Sequence, residues 1–387
     1  AGGAVAAGCP KSFGREPEEL KQLKKLRLFY FWLYTSTGVF NPFLSLYLQE
    51  RDFNKLQLGL IIGFSQLVGS VAIIAWGKAA DRSSNKNMVL RGLLLAAAGL
   101  CLGMWGLGGI PLVLLLAILA TIQGPLIPLS DCISLAIAPR DFGAIRLWGT
   151  VGYAVAVVAA GFVFQQFSLA LFFPSLVVIY FFSWYQGRGI STIPGAGGKK
   201  EQGLGSLFSN TGLNIFFVYG AIVYASLGFY INYYALFLLE LGFGQGIVGV
   251  SFQVAALTEL PFLLRAEFFA KKFSTRGLIS FAGFVFAARW LVVGSGLATV
   301  VLVSQLLHGF TYIVLYYAAI SWLNSQAAPE LKASAQSFHW LLATVSKFLG
   351  TAIGGWGAER IGLQSMFTLF GFVVLGATVL WRLIPKN

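Results

Sequence analysis

Long apolar runs separated by short polar loops are the main pattern of this 387-residue chain. A helix that crosses a bilayer needs about 20 consecutive apolar residues. Twelve windows of this kind predict spanning helices at 28–49, 56–77, 88–108, 110–131, 146–165, 167–186, 212–239, 246–268, 278–296, 298–323, 335–356 and 363–384. A continuous helix satisfies its own backbone hydrogen bonds in lipid, so the pattern predicts an all-α membrane protein with twelve transmembrane helices.

The polar gaps divide the chain into two similar parts. Residues 187–210 form the longest polar stretch between spans, and their Gly, Pro and Lys content is typical of a flexible linker. A shift of about 190 residues places span two on span eight and span three on span nine. We therefore predict four parts: an N-terminal segment 1–26, an N-terminal six-helix half 27–186, a linker 187–210 and a C-terminal six-helix half 211–387.

Positive charge follows the loops. The chain is 57% hydrophobic and 11% charged, with a net charge of +13. Lys and Arg concentrate at both termini and after the even-numbered spans, whereas the opposite loops carry only Arg51, Lys55 and Arg360. By the positive-inside rule, both termini and the linker are expected in the cytoplasm, or in the stroma of a plastid. We expect a plasma or inner membrane, with an organelle membrane as the alternative.

Patterns that carry enzyme chemistry are scarce. Cys9, Cys101 and Cys132 form no Cys-x-x-Cys pair, and the chain has two histidines. A phosphate-binding loop, zinc-ligand spacing and a nucleophile elbow are all missing from the sequence. We therefore predict no enzyme activity, no catalytic residues, no cofactor and no metal site. The basic residues lie in short clusters between spans, so a nucleic-acid partner is not expected either.

A polar loop after span two carries a recognisable motif. It reads GKAADRSSNK at residues 77–86 and resembles the Gly-x-x-x-Asp-Arg loop of the major facilitator superfamily. The resemblance implies a conformational latch on the cytoplasmic side, formed by Gly77, Asp81, Arg82 and Lys86. The matching loop of the second half, EFFAKKFSTR at 267–276, has Lys271 at the aspartate position. A second latch is therefore not expected.

Five further segments resemble one branch of that superfamily. They are GVFNPFLSLYL in span one, PLSD ending span four, RLWGTVGYA opening span five, ELP in span eight and LLHGFTY in span ten. In this order they resemble the proton symporters that include lactose permease and the phenylpropionate permeases. The resemblance covers most of the chain. It implies the major facilitator fold, with two pseudo-symmetric six-helix halves, and secondary transport by alternating access.

Arg146 and Tyr153 are the first candidates for substrate binding. They are seven residues apart and therefore lie on one face of span five. In the sugar permeases of the resembled branch, the matching arginine and aromatic residue hold the substrate by bidentate hydrogen bonds and ring stacking, which implies the same role here. Asp131 is expected to pair with Arg146 because an unpaired charge at that depth is costly. Alternatively, Arg146 extends to the interface and only orients its helix. Further predicted substrate residues are Tyr34, Gln123 and Tyr312.

Four ionisable residues lie inside spans of the second half: Glu259, Arg289, His308 and Lys347. Such residues are rare in membranes and usually functional. The resemblance implies that Glu259 carries the transported proton or couples it to the substrate, with Arg289 and His308 as neighbours. A Glu259–Arg289 pair that opens and closes would make a proton switch. The alternatives are a structural ion pair for Glu259 and a histidine satisfied by a helix neighbour for His308.

Lys347 and the turn beyond His308 differ from lactose permease. That permease has a second carboxylate one turn beyond its histidine, whereas this chain has Thr311 and Tyr312 there. Its complete proton route is therefore not expected here. Lys347 has no carboxylate in span seven to neutralise it. Three interpretations stay open for Lys347: it faces an anionic substrate, pairs with Glu259 or extends to the interface.

The sequence thus predicts a monomeric symporter, embedded in lipid, for a proton and a small organic solute. Organic or aromatic acids, sugars and nucleosides all fit hydrogen-bonding, stacking and charged residues. The intramembrane cations outnumber the intramembrane acids, which favours an anion. Two alternatives remain: an antiporter, efflux carrier or facilitator on the same fold, and a membrane receptor that binds without transporting.

Overall fold

The computed structural model describes residues 17–83, 85–191, 211–265, 272–327 and 332–383. These residues are mostly helical, and no strand occurs among them. Within them, nine segments are long and apolar enough to cross a membrane. Three predicted features lie wholly or partly outside the described residues: the first part of the N-terminal segment, most of the linker, and Lys271 in the second-half loop.

Seven described helices supply the six predicted spans of the N-terminal half. They are α1 (Pro17–Gln49), α2 (Lys55–Arg82), α3 (Lys86–Met104), α4 (Gly109–Gln123), α5 (Leu126–Ile137), α6 (Phe142–Gln166) and α7 (Phe172–Gly187). Helices α4 and α5 form one span with a break at Gly124 and Pro125. Proline has no backbone N–H for the preceding turn, which explains the interruption.

Seven more described helices supply the spans of the C-terminal half. They are α8 (Thr211–Glu240), α9 (Gln245–Thr258), α10 (Leu260–Leu264), α11 (Thr275–Gly294), α12 (Ala298–Val303), α13 (Tyr312–Gln326) and α14 (Lys332–Leu383). Helices α9 and α10 form one span, and α12 and α13 form another with a 3₁₀ segment, Ser304–Phe310, between them. Helix α14 contains two spans, because the backbone leaves the helix at Gly362 with φ 83° and ψ 160°.

The described helices therefore correspond to all twelve predicted spans. The nine segments selected by length and hydropathy omit α1 and the α9–α10 span, and they count the two spans of α14 as one. Large apolar side chains face outward along the spans: Ile110 is 74% exposed, Leu380 66% and Phe372 60%. Exposed apolar surface of this extent is suited to lipid and would be unfavourable in water.

The two halves contact each other at one end of the molecule. This closed end contains the loops after α1 and α8, and the opposite, open end contains Pro17 and Leu383. Lys55 is the central residue of the closed end. Its Nζ lies 2.7 Å from Oε1 of Glu240, its backbone N–H donates to the Glu359 carboxylate at 3.0 Å, and its carbonyl accepts from the Tyr233 hydroxyl at 2.6 Å.

Further contacts between the halves reach from the closed end to the middle of the helices. Gly246 N–H donates to Oε1 of Gln165 at 2.8 Å, where α9 meets α6. Near mid-depth, Gln66 Nε2 lies 3.4 Å from Oδ1 of Asn232. All hydrogen bonds that the structure shows between described residues of different halves lie between the closed end and mid-depth. The halves are therefore held together on one side of the membrane.

Candidate functional site

A cluster of charged and aromatic residues lies between α1, α5 and α6. Arg146 Nη1 lies 2.5 Å from Oδ2 of Asp131, and the Tyr30 hydroxyl donates to Oδ1 of the same carboxylate at 2.8 Å. The Arg146 guanidinium is 5.5 Å from the ring centroid of Tyr34, which stacks on Tyr30. These four residues are the N-half cluster. The structure thus places Arg146 beside Asp131, as the sequence analysis expected.

The aromatic partner of Arg146 differs from the expected one. Arg146 lies over Tyr34 of α1. Tyr153 is also on α6, and it is close enough to Glu259 and Tyr230 of the other half to interact with them electrostatically. Helical spacing gives the shared face of α6, but it does not say which neighbouring helix fills the space over the guanidinium. Tyr153 consequently lies towards the second half.

A second cluster lies in the C-terminal half, where two helices are irregular. Glu259 occupies the junction between α9 and α10, two residues before Pro261. His308 belongs to the 3₁₀ segment. His308 Nε2 lies 3.3 Å from Oε1 of Glu259, and His308 Nδ1 lies 2.8 Å from Nη1 of Arg289. The histidine therefore separates the carboxylate from the guanidinium, and the expected direct Glu259–Arg289 pair is replaced by a bridged one.

Gln305 completes the surroundings of Arg289. It accepts from Nη2 of Arg289 at 2.6 Å and from the Tyr230 hydroxyl at 2.7 Å. Arg289 is 0% exposed and lies 4.3 Å from the Tyr230 ring centroid. In a 3₁₀ helix, side chains three residues apart are eclipsed, so Gln305 and His308 reach the same guanidinium. We call Glu259, His308, Arg289, Gln305 and Tyr230 the C-half cluster.

The hydrogen-bond directions in the C-half cluster follow from the chemistry of arginine. A guanidinium only donates, so Nδ1 of His308 must accept from Arg289. The proton of a neutral imidazole is then on Nε2, which donates to Glu259. Arg289 thus selects the histidine tautomer that faces the carboxylate with an N–H group. Glu259 and Arg289 are connected through one ring.

Close helix contact positions this relay. Gly309 N–H donates to Oγ1 of Thr258 at 2.9 Å, next to Glu259. A Cβ atom at Gly309 would overlap the Thr258 carbonyl oxygen. The absence of a side chain at Gly309 therefore lets the 3₁₀ segment approach α9 closely enough for His308 to reach Glu259.

Tyr312 lies between the two clusters. Its ring stacks on Tyr316 with centroids 6.1 Å apart, and it is close enough to Glu259 and Arg146 to interact electrostatically with both. Tyr153 therefore lies near Glu259, and Tyr312 lies near both Glu259 and Arg146. Six of the predicted residues are thus close to one another: Tyr34, Asp131, Arg146, Tyr153, Glu259 and Tyr312.

A cavity of about 380 Å³ lies elsewhere between the halves and is lined by none of the residues of the two clusters. Its wall comes mainly from α1, α2 and α4, with contributions from α5, α7, α8 and α14. Two predicted site residues line it, Gln123 and Lys347. Gln123 Nε2 lies 2.6 Å from the Tyr180 hydroxyl. Within the described part of the chain, Lys347 forms no ion pair, so the interpretation that it pairs with Glu259 is not supported.

The predicted latch residues lie at the open end. Lys86 Nζ is 2.6 Å from Oδ1 of Asp81, which joins the last turn of α2 to the first residue of α3. Arg82 is exposed, and a Cβ added at Gly77 would have no atom within 4 Å. The ion pair is local to the N-terminal half in this conformation.

Sequence reasoning missed three of the residues that organise these sites. Gln305 could have been found because it lies three residues before His308, on the same face of a helix. Lys55 and Glu240 were not found, since each looks like an ordinary loop-flanking charge until the two halves are brought together. Their pairing depends on tertiary structure alone.

Comparison with known proteins agrees with this architecture. The chain is 27% identical to the maltose permease of Geobacillus stearothermophilus, in a match that covers 93% of this chain and 94% of the permease. It is 23% identical to the "Probable 3-phenylpropionic acid transporter" of Escherichia coli strain K12, with 94% of both chains covered. The crystal structure of the nucleoside transporter NupG superposes with a TM-score of 0.84 at 17% identity, covering 95% of this chain and 98% of NupG. That likeness shows the fold.

These relatives are transporters and not enzymes, and the chain is an integral, multi-pass membrane protein. The resemblance to the major facilitator superfamily is confirmed. The family model described as "MFS_1 like family" matches residues 23–369, nearly the whole length. The chain therefore belongs to the MFS_1 like family of membrane transporters.

Proposed function

We propose that this transporter is a symporter that couples the movement of a proton to the uptake of a small organic solute. The observation that carries the proposal is the relay Glu259–His308–Arg289, with the histidine 3.3 Å from the carboxylate and 2.8 Å from the guanidinium. Carboxylates inside membrane proteins commonly belong to proton pathways. Arg289 holds the imidazole in one tautomer, so Glu259 is the group left to gain and lose the proton.

Protonation of Glu259 would change its contact with His308. A carboxylate accepts a charge-assisted hydrogen bond, which is stronger than the bond to a neutral acid. Loading the proton therefore weakens the link between the α9–α10 junction and the 3₁₀ segment. Tyr312 lies near both Glu259 and Arg146, so a solute bound at Arg146 would be close to the group that changes its protonation state. This is the physical basis of the proposed coupling.

Alternating access would use the two ends of the molecule. With both termini in the cytoplasm, as the Lys and Arg distribution predicts, the open end faces inward. The Lys55 contacts with Glu240, Glu359 and Tyr233 then hold the outer side closed. They must break when the halves rock to the other state, and the Asp81–Lys86 region with the free space at Gly77 would receive the opposite half. The transporter is proposed to work as a monomer.

The substrate class is drawn from the central residues and from the relatives. Arg146 and the tyrosines offer charge, hydrogen bonds and stacking, which suit an organic acid or a sugar. A maltose permease and a protein named for 3-phenylpropionic acid are similar over more than nine-tenths of this chain. We therefore choose 3-phenylpropionate and maltose as the first solutes to test.

The test is uptake of both solutes into proteoliposomes, with and without an imposed inward proton gradient. For the transported solute we expect gradient-driven accumulation in the parent. Glu259→Gln should abolish accumulation and retain counterflow, because exchange needs no net proton movement. His308→Gln should lower accumulation about tenfold or more, since a relay that positions a proton is lost. Glu50→Gln, a change at an exposed loop carboxylate, is the matched control and should behave as the parent.

Other outcomes identify the alternatives. If neither solute accumulates above equilibrium in the parent and the gradient has no effect on counterflow, the result indicates a facilitator. Accumulation driven only by the opposite gradient indicates an antiporter. Binding without flux of either solute indicates a receptor. An unchanged gradient-driven accumulation in Glu259→Gln would contradict the role of the relay.

A further inference from the structure

Lys347 is a membrane-embedded cation whose partner is missing from the described residues. It lies on the first span of α14 and lines the 380 Å³ cavity. Its ammonium group forms no ion pair there, in contrast to Lys55, Lys86 and Arg146. A lysine at the centre of a membrane span costs about 2.5–3.5 kcal/mol unless it is compensated. A compensating group is therefore expected to enter the cavity.

The cavity wall carries no Asp or Glu. Its polar residues are amides, hydroxyls and the Lys347 ammonium, namely Ser36, Thr37, Asn41, Ser65, Gln66, Ser70, Gln123, Tyr180, Asn232, Thr344 and Lys347. None of them belongs to the N-half or the C-half cluster. The electrostatic character of the cavity is consequently positive. It would attract an anion and repel a cation.

The hydroxyl and amide groups of the cavity wall add hydrogen-bond donors and acceptors to this positive charge. Ser36, Thr37 and Ser70 each donate to a carbonyl of their own helix, at 2.6, 2.8 and 2.9 Å. Their remaining lone pairs can only accept, which suits a hydroxyl or N–H group on the ligand. Gln66 uses one amide N–H on Asn232 and keeps the second. The wall thus offers donors next to a cation and acceptors on α1 and α2.

The volume and the apolar lining of the cavity further restrict the class of ligand that it can bind. Leu33, Phe40, Ile62 and Leu116 also line the cavity, so part of the ligand meets apolar side chains. A volume of about 380 Å³ is at the lower end of the range of small-molecule pockets. One lysine matches one negative charge, which favours a carboxylate over a doubly charged phosphate. A neutral sugar would leave the ammonium group uncompensated.

We propose that the Lys347 cavity binds the carboxylate of a small organic acid and that the transported solute is therefore an organic anion. The inference rests on the proposed transport function, to which it adds the substrate class and the residue that selects it. Lys347 recognises the carboxylate, Gln66 and Gln123 add amide donors, and the α1 and α2 hydroxyls accept from the body of the acid. The position is distinct from Arg146 and Glu259.

The experiment compares matched acid and neutral solutes on the purified full chain. Thermal stabilisation is titrated with 3-phenylpropionate against 3-phenylpropan-1-ol, and with gluconate against glucose, because a ligand that binds the native state raises its melting temperature. At least one acid should stabilise the parent more than its neutral counterpart. In Lys347→Met, the affinity for that acid should fall at least tenfold, which is about 1.4 kcal/mol. Lys347→Arg should keep most of the affinity.

Controls separate charge recognition from misfolding. Lys78→Met removes an exposed lysine of α2 outside the cavity and should leave acid binding unchanged. Lys347→Gln is a second neutral variant, which must show the same loss as Lys347→Met. The proposal would be overturned if the acids raise the melting temperature of the parent and of both neutral variants by the same amount. It would also be overturned if none of the acids stabilises the parent, or if only the neutral solutes do.

The two proposals fail in different ways. Glu259→Gln should still bind the acid, since Glu259 does not line the cavity. Acid binding that depends on Lys347, together with uptake that ignores the proton gradient, would contradict the coupling and retain the carboxylate site. If a neutral solute is taken up by the gradient and no acid binds, the result would contradict the carboxylate site and retain the coupling.

Discussion

Each of the two charged clusters contains an arginine, a carboxylate and at least one tyrosine, and the two arginines differ in exposure. In the N-half cluster, Arg146 contacts Asp131 directly, and the two side chains are 44% and 25% exposed. In the C-half cluster, Arg289 is 0% exposed and reaches Glu259 only through His308. The Asp131 and Glu259 side chains are about equally exposed, at 25% and 24%, so the contrast lies in the cations. One half therefore has an accessible arginine, and the other has an arginine buried behind a histidine.

This difference separates two kinds of task. An exposed ion pair is worth about 0–1 kcal/mol and can exchange one partner for another at little cost, which suits a residue that must hold and release a solute. A buried network must keep all its members paired, because an unpaired buried charge is strongly destabilising. Such a network suits a proton that is loaded on and released from one defined group. The proposed roles of the halves follow from this contrast.

The largest expected effect is on stability. Arg289→Met removes the donor to His308 and Gln305 and leaves Glu259 without its cation, so the cost should be about 3–5 kcal/mol. Arg146→Met removes a half-exposed partner and should cost about 0–1 kcal/mol. Unfolding of both variants, followed in the same detergent by intrinsic fluorescence, measures the difference. Equal losses would mean that the two clusters are energetically alike and would remove the basis of the comparison.

A smaller effect is expected on solute affinity in the N-half cluster. Arg146→Lys keeps the charge but loses the planar group that contacts Asp131 and lies over Tyr34, so affinity should fall about tenfold. Unfolding free energy should change by less than about 1 kcal/mol, because the site stays partly exposed. The affinity is measured with the solute that the uptake assay shows to be transported, and the unfolding free energy is measured separately in the same detergent. A loss of stability larger than the loss of affinity would assign Arg146 a structural role.

The helices could be predicted from the sequence because lipid leaves few choices. Apolar runs of sufficient length must become helices, and their number and order follow from counting. The Asp131–Arg146 pair also followed, since an intramembrane arginine needs an acid and only a few are available. The breaks at Pro125 and before Pro261 were not part of the twelve predicted spans, although both coincide with a proline in the sequence.

The connections inside the C-half cluster could not be predicted in the same way. The sequence shows Glu259, Arg289 and His308 in three spans, but the order in which they touch depends on the 3₁₀ segment and the close approach at Gly309. The aromatic partner of Arg146 depends on how α1 packs against α6. The environment of Lys347 likewise required the cavity to be seen. Each of these is a property of packing between distant segments.

The smallest expected effect tests whether single contacts in the N-half cluster can be lost at little cost. Tyr30→Phe removes the hydroxyl that donates to Asp131 and keeps the ring that stacks on Tyr34. Asp131 is partly exposed, so water can replace the lost donor, and the stability cost should be about 1 kcal/mol with affinity changed less than about threefold. The control is Tyr47→Phe, which alters a buried α1 hydroxyl that makes no hydrogen bond with the described residues and should have no effect on affinity. If Tyr30→Phe lowers affinity as much as Arg146→Lys does, the N-half cluster acts as a cooperative network. Both halves would then contain a cooperative network, and the contrast between the two clusters would be lost.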